Sequence, residues 1–136
     1  MPILEKNLVI ESTSEAVSAV CREILAELTN SGFGKDDAFA IHLAAEEALI
    51  NAIKHGNKGD ASKKVKISYK IADKFEVFIE DHGNGFAPEE VPDPRCKENL
   101  YKPHGRGLLL MKAYMDLVEF NKAGNCLHMV KNKTGL

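Results

Sequence analysis

Ala44-Ala45-Glu46-Glu47-Ala48-Leu49-Ile50-Asn51-Ala52-Ile53-Lys54-His55-Gly56-Asn57 reads as the second half of a helix that carries polar groups where a core helix should not. At about 100° per residue, Ala45, Ala48 and Ala52 lie within about 40° of Ile41 and define a buried stripe of small side chains. Glu47, Asn51 and His55 follow at i, i+4 and i+8 along the edge of that stripe. This spacing stacks a carboxylate, an amide and an imidazole on one helical face at intervals of about 6 Å. Glu46 points elsewhere, roughly 100° round the axis from Glu47. Taken alone, such a row describes a solvated helix edge at least as well as the wall of a site.

The residues before this stretch predict one strand and two helices. Leu4, Leu8 and Ile10 share a parity that Lys6 interrupts, which reads as a first strand over 4–11. Ser12 and Glu15 have the spacing of a capping box. Val17, Val20, Cys21, Ile24, Leu25 and Leu28 then recur at helical spacing until Asn30-Ser31-Gly32 stops the helix. Lys35-Asp36-Asp37 opens the second helix, with acidic residues at its positive end. That helix is expected to run to His55, with Gly56 taking the left-handed conformation that ends it.

After a polar loop over 57–64, Val65, Ile67, Tyr69 and Ile71 alternate with Lys66, Ser68 and Lys70. Ala72-Asp73-Lys74 turns the chain into Phe75, Val77 and Ile79, which alternate with Glu76, Phe78 and Glu80. Two strands joined this tightly form an antiparallel hairpin. Asp81 falls on the side of Phe75, Val77 and Ile79, which aims a carboxylate at the core-facing side of the sheet. An ionised group there needs a partner, either a local turn or something bound.

His82-Gly83-Asn84-Gly85-Phe86 follows at once, its two glycines allowing a sharp turn and close approach to a ligand. From 87 to 104 no periodicity survives, and Pro88, Pro92, Pro94 and Pro103 rule out a long helix or a central strand. This segment carries Arg95, Lys97 and Lys102, which suit either a lid over an anion or a solvated loop. Gly105-Arg106-Gly107 then leads into a helix beginning Leu108-Leu109-Leu110, a natural phosphate site. Asp116 closes that helix, and segments 117–121 and 126–131 form a hairpin around 122–125. Residues 132–136 are expected to fray.

Composition narrows the function classes. The 136 residues are expected to form one domain, with 44% apolar and 28% charged residues, as in soluble globular proteins. A net charge of -2 and the absence of Trp give no basis for binding nucleic acid or an acidic membrane. There is no signal peptide pattern and no run approaching the ~20 apolar residues of a membrane span. Cys21, Cys96 and Cys126 are odd in number and widely spaced, which points to a reducing cytoplasm. His82 and His104 lack a plausible third ligand, so no zinc site is expected. The order of parts predicts an α+β fold, a two-layer α/β sandwich whose mostly antiparallel sheet is covered on one face by helices. Walker, Rossmann and eukaryotic kinase signatures are missing from the sequence.

The chain resembles the GHKL family of ATP-binding domains, whose Bergerat fold is shared by gyrase B, chaperone ATPases and sensor histidine kinases. Glu47-x-x-x-Asn51-x-x-x-His55-Gly56 is similar to its N-box, Asp81-His82-Gly83-Asn84-Gly85-Phe86 to its first glycine box, and Gly105-Arg106-Gly107-Leu108 to its second. Within that family, the chain looks most like the small anti-sigma-factor serine/threonine kinases, although Gly124-Asn125 stands where relatives have Gly-Thr. The resemblance implies that ATP and Mg²⁺ are bound, with Asn51 as the metal ligand and Glu47 as the general base. It further implies that Asp81 holds the adenine amino group and that Gly83, Gly85 and Phe86 line the base and sugar. Gly105, Arg106, Gly107 and Leu108 would wrap the phosphates, and His55 would belong to the same site. The implied partners are a sigma factor, an anti-anti-sigma antagonist and a second copy of the chain. Two other readings are a nucleotide-gated binding module without phosphate transfer and a histidine-kinase-like ATPase domain.

Overall fold

Alternation of side chains fixes the sheet. The computed structural model describes residues 3–58, 60, 62–81, 105–120 and 126–134. Strand β1 spans Leu4–Glu11, β2 Lys64–Ile71, β3 Lys74–Asp81, β4 Leu117–Phe120 and β5 Cys126–Asn132. The strands form one sheet in the order β1-β2-β3-β5-β4, with every neighbouring pair antiparallel. Strand β2 buries Val65, Ile67, Tyr69 and Ile71, and β3 buries Phe75, Val77, Ile79 and Asp81, as their period of two requires. Strand β5 lies between β3 and β4, so β3 and β4 run parallel without touching.

Helices α1 (Ser14–Asn30), α2 (Lys35–Asn51) and α3 (Gly105–Tyr114) contribute to a single core with the inward parity of the strands. Val17, Val20, Cys21, Ile24 and Leu28 of α1 are buried, the stripe that the helical spacing predicts. Helix α2 packs against both α1 and α3, and its buried residues include Ala38, Ala40, Ile41, Ala44, Ala45, Ala48 and Leu49. Small side chains suit a helix with neighbours on two sides, since bulkier ones would hold the three axes apart.

The opposite face of the sheet is polar and laddered. Lys66 faces Glu80, Lys70 faces Glu5 and Lys64 faces Glu11, each at 3.7 Å. The His128 ring stacks on Phe78 at 4.2 Å and reaches Glu76 at 2.7 Å and Glu119 at 3.1 Å, which ties β3, β4 and β5 together.

Four local expectations are corrected. Lys6 does not interrupt β1. It stays on the inward parity because Glu27 and Glu23 of α1 meet its ammonium at 2.6 and 3.4 Å, and the Tyr69 hydroxyl donates to the same carboxylates. The N-cap of α1 is Thr13 rather than Ser12, its Oγ1 accepting from the Ala16 N–H at 3.1 Å, because Ser12 is engaged elsewhere. Helix α2 ends as an α-helix at Asn51 and continues as a π turn over Ala52–Gly56, and the positive φ expected at Gly56 falls at Lys58 (φ 54). Residues 132–134 are anchored, while 135 and 136 lie outside the described residues. Thr134 donates from its N–H to Asp37 Oδ2 at 2.8 Å and from its hydroxyl to Oδ1 at 2.9 Å, while Lys133 Nζ donates to the Ser31 carbonyl at 2.9 Å.

Candidate functional site

Asn51 is both the last residue of α2 and the residue that enters the π turn, with φ -64 and ψ -40. Glu47 lies one turn earlier, and both side chains are half-buried. The turn is closed by an N–H of Asn57 that donates to the Ala52 carbonyl at 2.8 Å, five residues back. Because a π turn holds more residues than an α turn, everything after Asn51 is rotated out of the α-helical phase. The backbone of His55 lies inside that turn, so the i+8 spacing from Glu47 does not give its direction.

The π turn lies against β3, and β3 ends at Asp81. Asp81 is 7% exposed and sits opposite Val65 of β2, on the core-facing parity that the sequence gives it. Its charge, with that of Glu80, reaches the Cys126 thiol, which burial first and these carboxylates second hold above its ordinary value. Helix α3 packs on α2 and begins at Gly105, so the second glycine motif occupies its opening turn. The π turn that continues α2 thus lies against β3, the strand whose last residue is Asp81, and α3 is laid on the same helix.

Glu46 faces another way. Its charge acts on Cys21 of α1, whose thiol is pushed up to about 11, by burial first and by Glu46 second. Gly83, Gly85 and Phe86, the segment 87–104 with Arg95, Lys97 and Lys102, and His82 and His104 lie outside the described residues. Gly105, Arg106, Gly107 and Leu108 form the first residues of α3, and nothing further is described of their side chains.

Two polar residues at this site carry no signal in the sequence. Asn57 is fully buried, and its Nδ2 donates to Ser12 Oγ at 3.0 Å and to the Lys64 carbonyl at 3.1 Å. Ser12 in turn donates to the Lys63 carbonyl at 2.6 Å. A polar loop is the ordinary reading of Asn57 after a glycine, and its partners are far away in sequence or beyond the loop. Among the described residues no group of three or more His, Cys, Asp or Glu side chains could hold a metal ion. The donors present are a half-buried amide, a half-buried carboxylate and a buried carboxylate. They suit a ligand that brings its own anionic oxygens, which a hard cation could share with Asn51.

Known proteins resemble this chain in fold and in sequence. A structure containing the RsbU and RsbW domains of Rv1364c from Mycobacterium tuberculosis superposes with a TM-score of 0.65 over 97% of this chain and 32% of that one, at 17% identity, and shares the fold. Serine-protein kinase RsbW of Bacillus subtilis is 25% identical over 93% of this chain and 84% of its own length. The anti-sigma F factor of Clostridium perfringens is 33% identical over 71% of this chain and 81% of its own. Serine-protein kinase RsbW of Bacillus licheniformis is 29% identical over 64% of this chain, and the match spans 59% of that relative's length. No helix among the described residues is long and apolar enough to cross a membrane. Residues 10–131 match the family described as the histidine kinase-like ATPase domain. With that match over most of its length and with the fold in place, the chain belongs to this GHKL-type family.

Proposed function

We propose that this chain is an ATP- and Mg²⁺-dependent protein serine/threonine kinase that acts as an anti-sigma factor and phosphorylates an anti-anti-sigma antagonist. In this reading residues 1–136 are one catalytic domain, 87–104 is its lid, and the protein works as a cytoplasmic homodimer that switches between two protein partners. The observation that carries the reading is the placement of Glu47 one turn before Asn51, at a π turn that lies against the strand ending in Asp81. Relatives named as serine-protein kinase and anti-sigma factor support transfer to a protein serine and a sigma factor as one partner.

Each residue has a distinct task. Asp81 accepts a hydrogen bond from the adenine amino group, which adds a donor to a buried carboxylate. Gly83, Gly85 and Phe86 would lie along the base and sugar, and Gly105, Arg106, Gly107 and Leu108 would present backbone amides to the phosphates. Asn51 would offer its amide oxygen to the cation, and His55 would belong to the same site. Bound Mg²⁺ would neutralise phosphate charge. Glu47 receives the proton of the attacking serine or threonine hydroxyl as its oxygen bonds to the γ-phosphorus and the bond to ADP breaks. A purely sequestering module would need Asn51 and Asp81 but no base, so Glu47 favours the kinase.

The test uses γ-labelled ATP, the purified chain and an extract of its native cell, followed by mass spectrometry. Label on serine or threonine of a small protein, lost in Glu47→Ala, is the expected result. ATP binding without any transfer would establish the sequestering module instead, and label on histidine would establish a histidine-kinase-like activity.

A further inference from the structure

The backbone immediately after Asn51 decides where its amide sits. The π turn over Ala52–Gly56 begins at the next residue, so the position of the Asn51 amide depends on how that turn is fixed. Such turns are rare, well under 1% of residues, and occur frequently at functional sites. The residues beyond the turn add to the cost: Lys58, a non-glycine residue, has φ 54, a conformation that persists only where its surroundings impose it.

The restraint is the buried amide of Asn57. Its N–H closes the π turn on the Ala52 carbonyl at 2.8 Å. Its side chain donates to Ser12 Oγ at 3.0 Å and to the Lys64 carbonyl at 3.1 Å, so the two protons of one NH2 group reach two separate parts of the chain. Ser12 sits between β1 and α1 and passes its own proton to the Lys63 carbonyl at 2.6 Å. Residue 64 begins β2, and its neighbour Val65 is the residue directly opposite Asp81. One hydrogen-bonded knot therefore connects the turn after Asn51 to the strand pair that carries Asp81.

We propose that Asn57, with Ser12, is a positioning residue that sets the separation between Asn51 and Asp81, and so the register of a bound nucleotide between its phosphate and adenine ends. This rests on the nucleotide-binding role given to Asn51 and Asp81 above. Neither Asn57 nor Ser12 touches the nucleotide. A side chain that donates twice is required at Asn57. The substitution Asn57→Asp would set a carboxylate against the Lys64 carbonyl, and Asn57→Ala would leave that carbonyl and Ser12 without the amide. Loosening the knot lets Asn51 shift relative to Asp81 while the sheet and the three helices keep their own contacts.

The experiment is calorimetric titration of the full chain with ATP, with and without Mg²⁺, for the wild type, Asn51→Ala, Asn57→Ala and Ser12→Ala. Circular dichroism melts check that each variant is folded at the titration temperature. Asn57→Ala is expected to weaken ATP binding in Mg²⁺ by about tenfold or more and to reduce the gain in affinity that Mg²⁺ confers, at unchanged stoichiometry. Ser12→Ala should do the same to a smaller extent. A merely structural role would lower the binding stoichiometry through unfolded protein and leave the affinity of the remainder intact. If Asn57→Ala fails to fold, Ser12→Ala decides by the same readout. A Mg²⁺-dependent wild type that loses this dependence in Asn51→Ala but keeps it in folded Asn57→Ala and Ser12→Ala overturns the positioning role alone. A wild type that binds no ATP, or an Asn51→Ala variant that keeps the full Mg²⁺ gain, overturns the nucleotide reading and this inference with it.

Discussion

Asp81 and Glu47 are both carboxylates, and in the proposed kinase their different burial suits them to different work. Asp81 is almost fully buried at the end of β3, where an ionised group is stabilised only by donors aimed at it. Replacing it with Asn exchanges a charged acceptor for a neutral amide. Fluorescent ATP titration of Asp81→Asn should show affinity reduced by about ten- to a hundredfold, the worth of a hydrogen bond to a charged group. Glu47 is only half-buried. Single-turnover measurements on Glu47→Gln should show phosphate transfer slowed by about 10²–10⁴-fold while ATP affinity holds, as removal of a general base requires. The inward position of Asp81 was legible from strand parity and the placement of Glu47 one turn before Asn51 from helical spacing, whereas the roles proposed for them come from the family resemblance. Asn57 and Ser12 were not legible, because an asparagine after a glycine and a serine before a helix each have an ordinary local use. Their actual partners are supplied by other parts of the chain.

At the scale of the elements, the junctions distinguish the features that local sequence specifies from those that packing imposes. The hairpin β2–β3 follows from alternation and a short turn, and its register runs from Val65 opposite Asp81 to Ile71 opposite Phe75. The α1 cap does not, since Ser12 and Thr13 can both cap a helix and the knot around Asn57 takes the first. Thr13→Ala should therefore cost about 1 kcal/mol in urea denaturation. The π turn has no sequence signature, and its residues Ala52-Ile53-Lys54-His55-Gly56 would continue an α-helix equally well. Lys133 and Thr134, just after β5, depart from their local pattern for the same reason, since Thr134 meets Asp37 across 97 residues. Burial acts to raise the Asp37 carboxyl. The Thr134 N–H, the Thr134 hydroxyl and the charge of Lys131 together outweigh it and hold the group below its ordinary value of 3.8. A depressed carboxylate contributes stability above its unfolded value that is lost as pH falls through the folded one. Denaturant midpoints of the wild type should therefore drop below about pH 4, and those of Asp37→Asn should start lower and fall less steeply.

Among the described residues, the core is shared by α1, α2 and α3 and by the inward face of the sheet. Its alkaline limit includes Cys21, whose thiol is raised from 9.0 to about 11 by burial and by Glu46. A raised acid stabilises the fold below its unfolded value, and that stability is lost as pH rises through the folded value. Urea midpoints should consequently decline between pH 9 and 11, and the decline should be smaller in Cys21→Ala, which begins from a lower stability because it removes a buried group.

The place of β5 between β3 and β4 bears on how the protein is made. On the ribosome, β1, β2 and β3 can pair as soon as they emerge, since each lies beside its neighbour in sequence. Strand β4 emerges before β5, the strand that joins it to them. Until Cys126–Asn132 has been synthesised and slotted into the gap, β3 is an open edge in the middle of the future sheet. Nascent chains stalled before residue 126 are thus the form of this protein most exposed to strand addition by other polypeptides, and the form in greatest need of a chaperone.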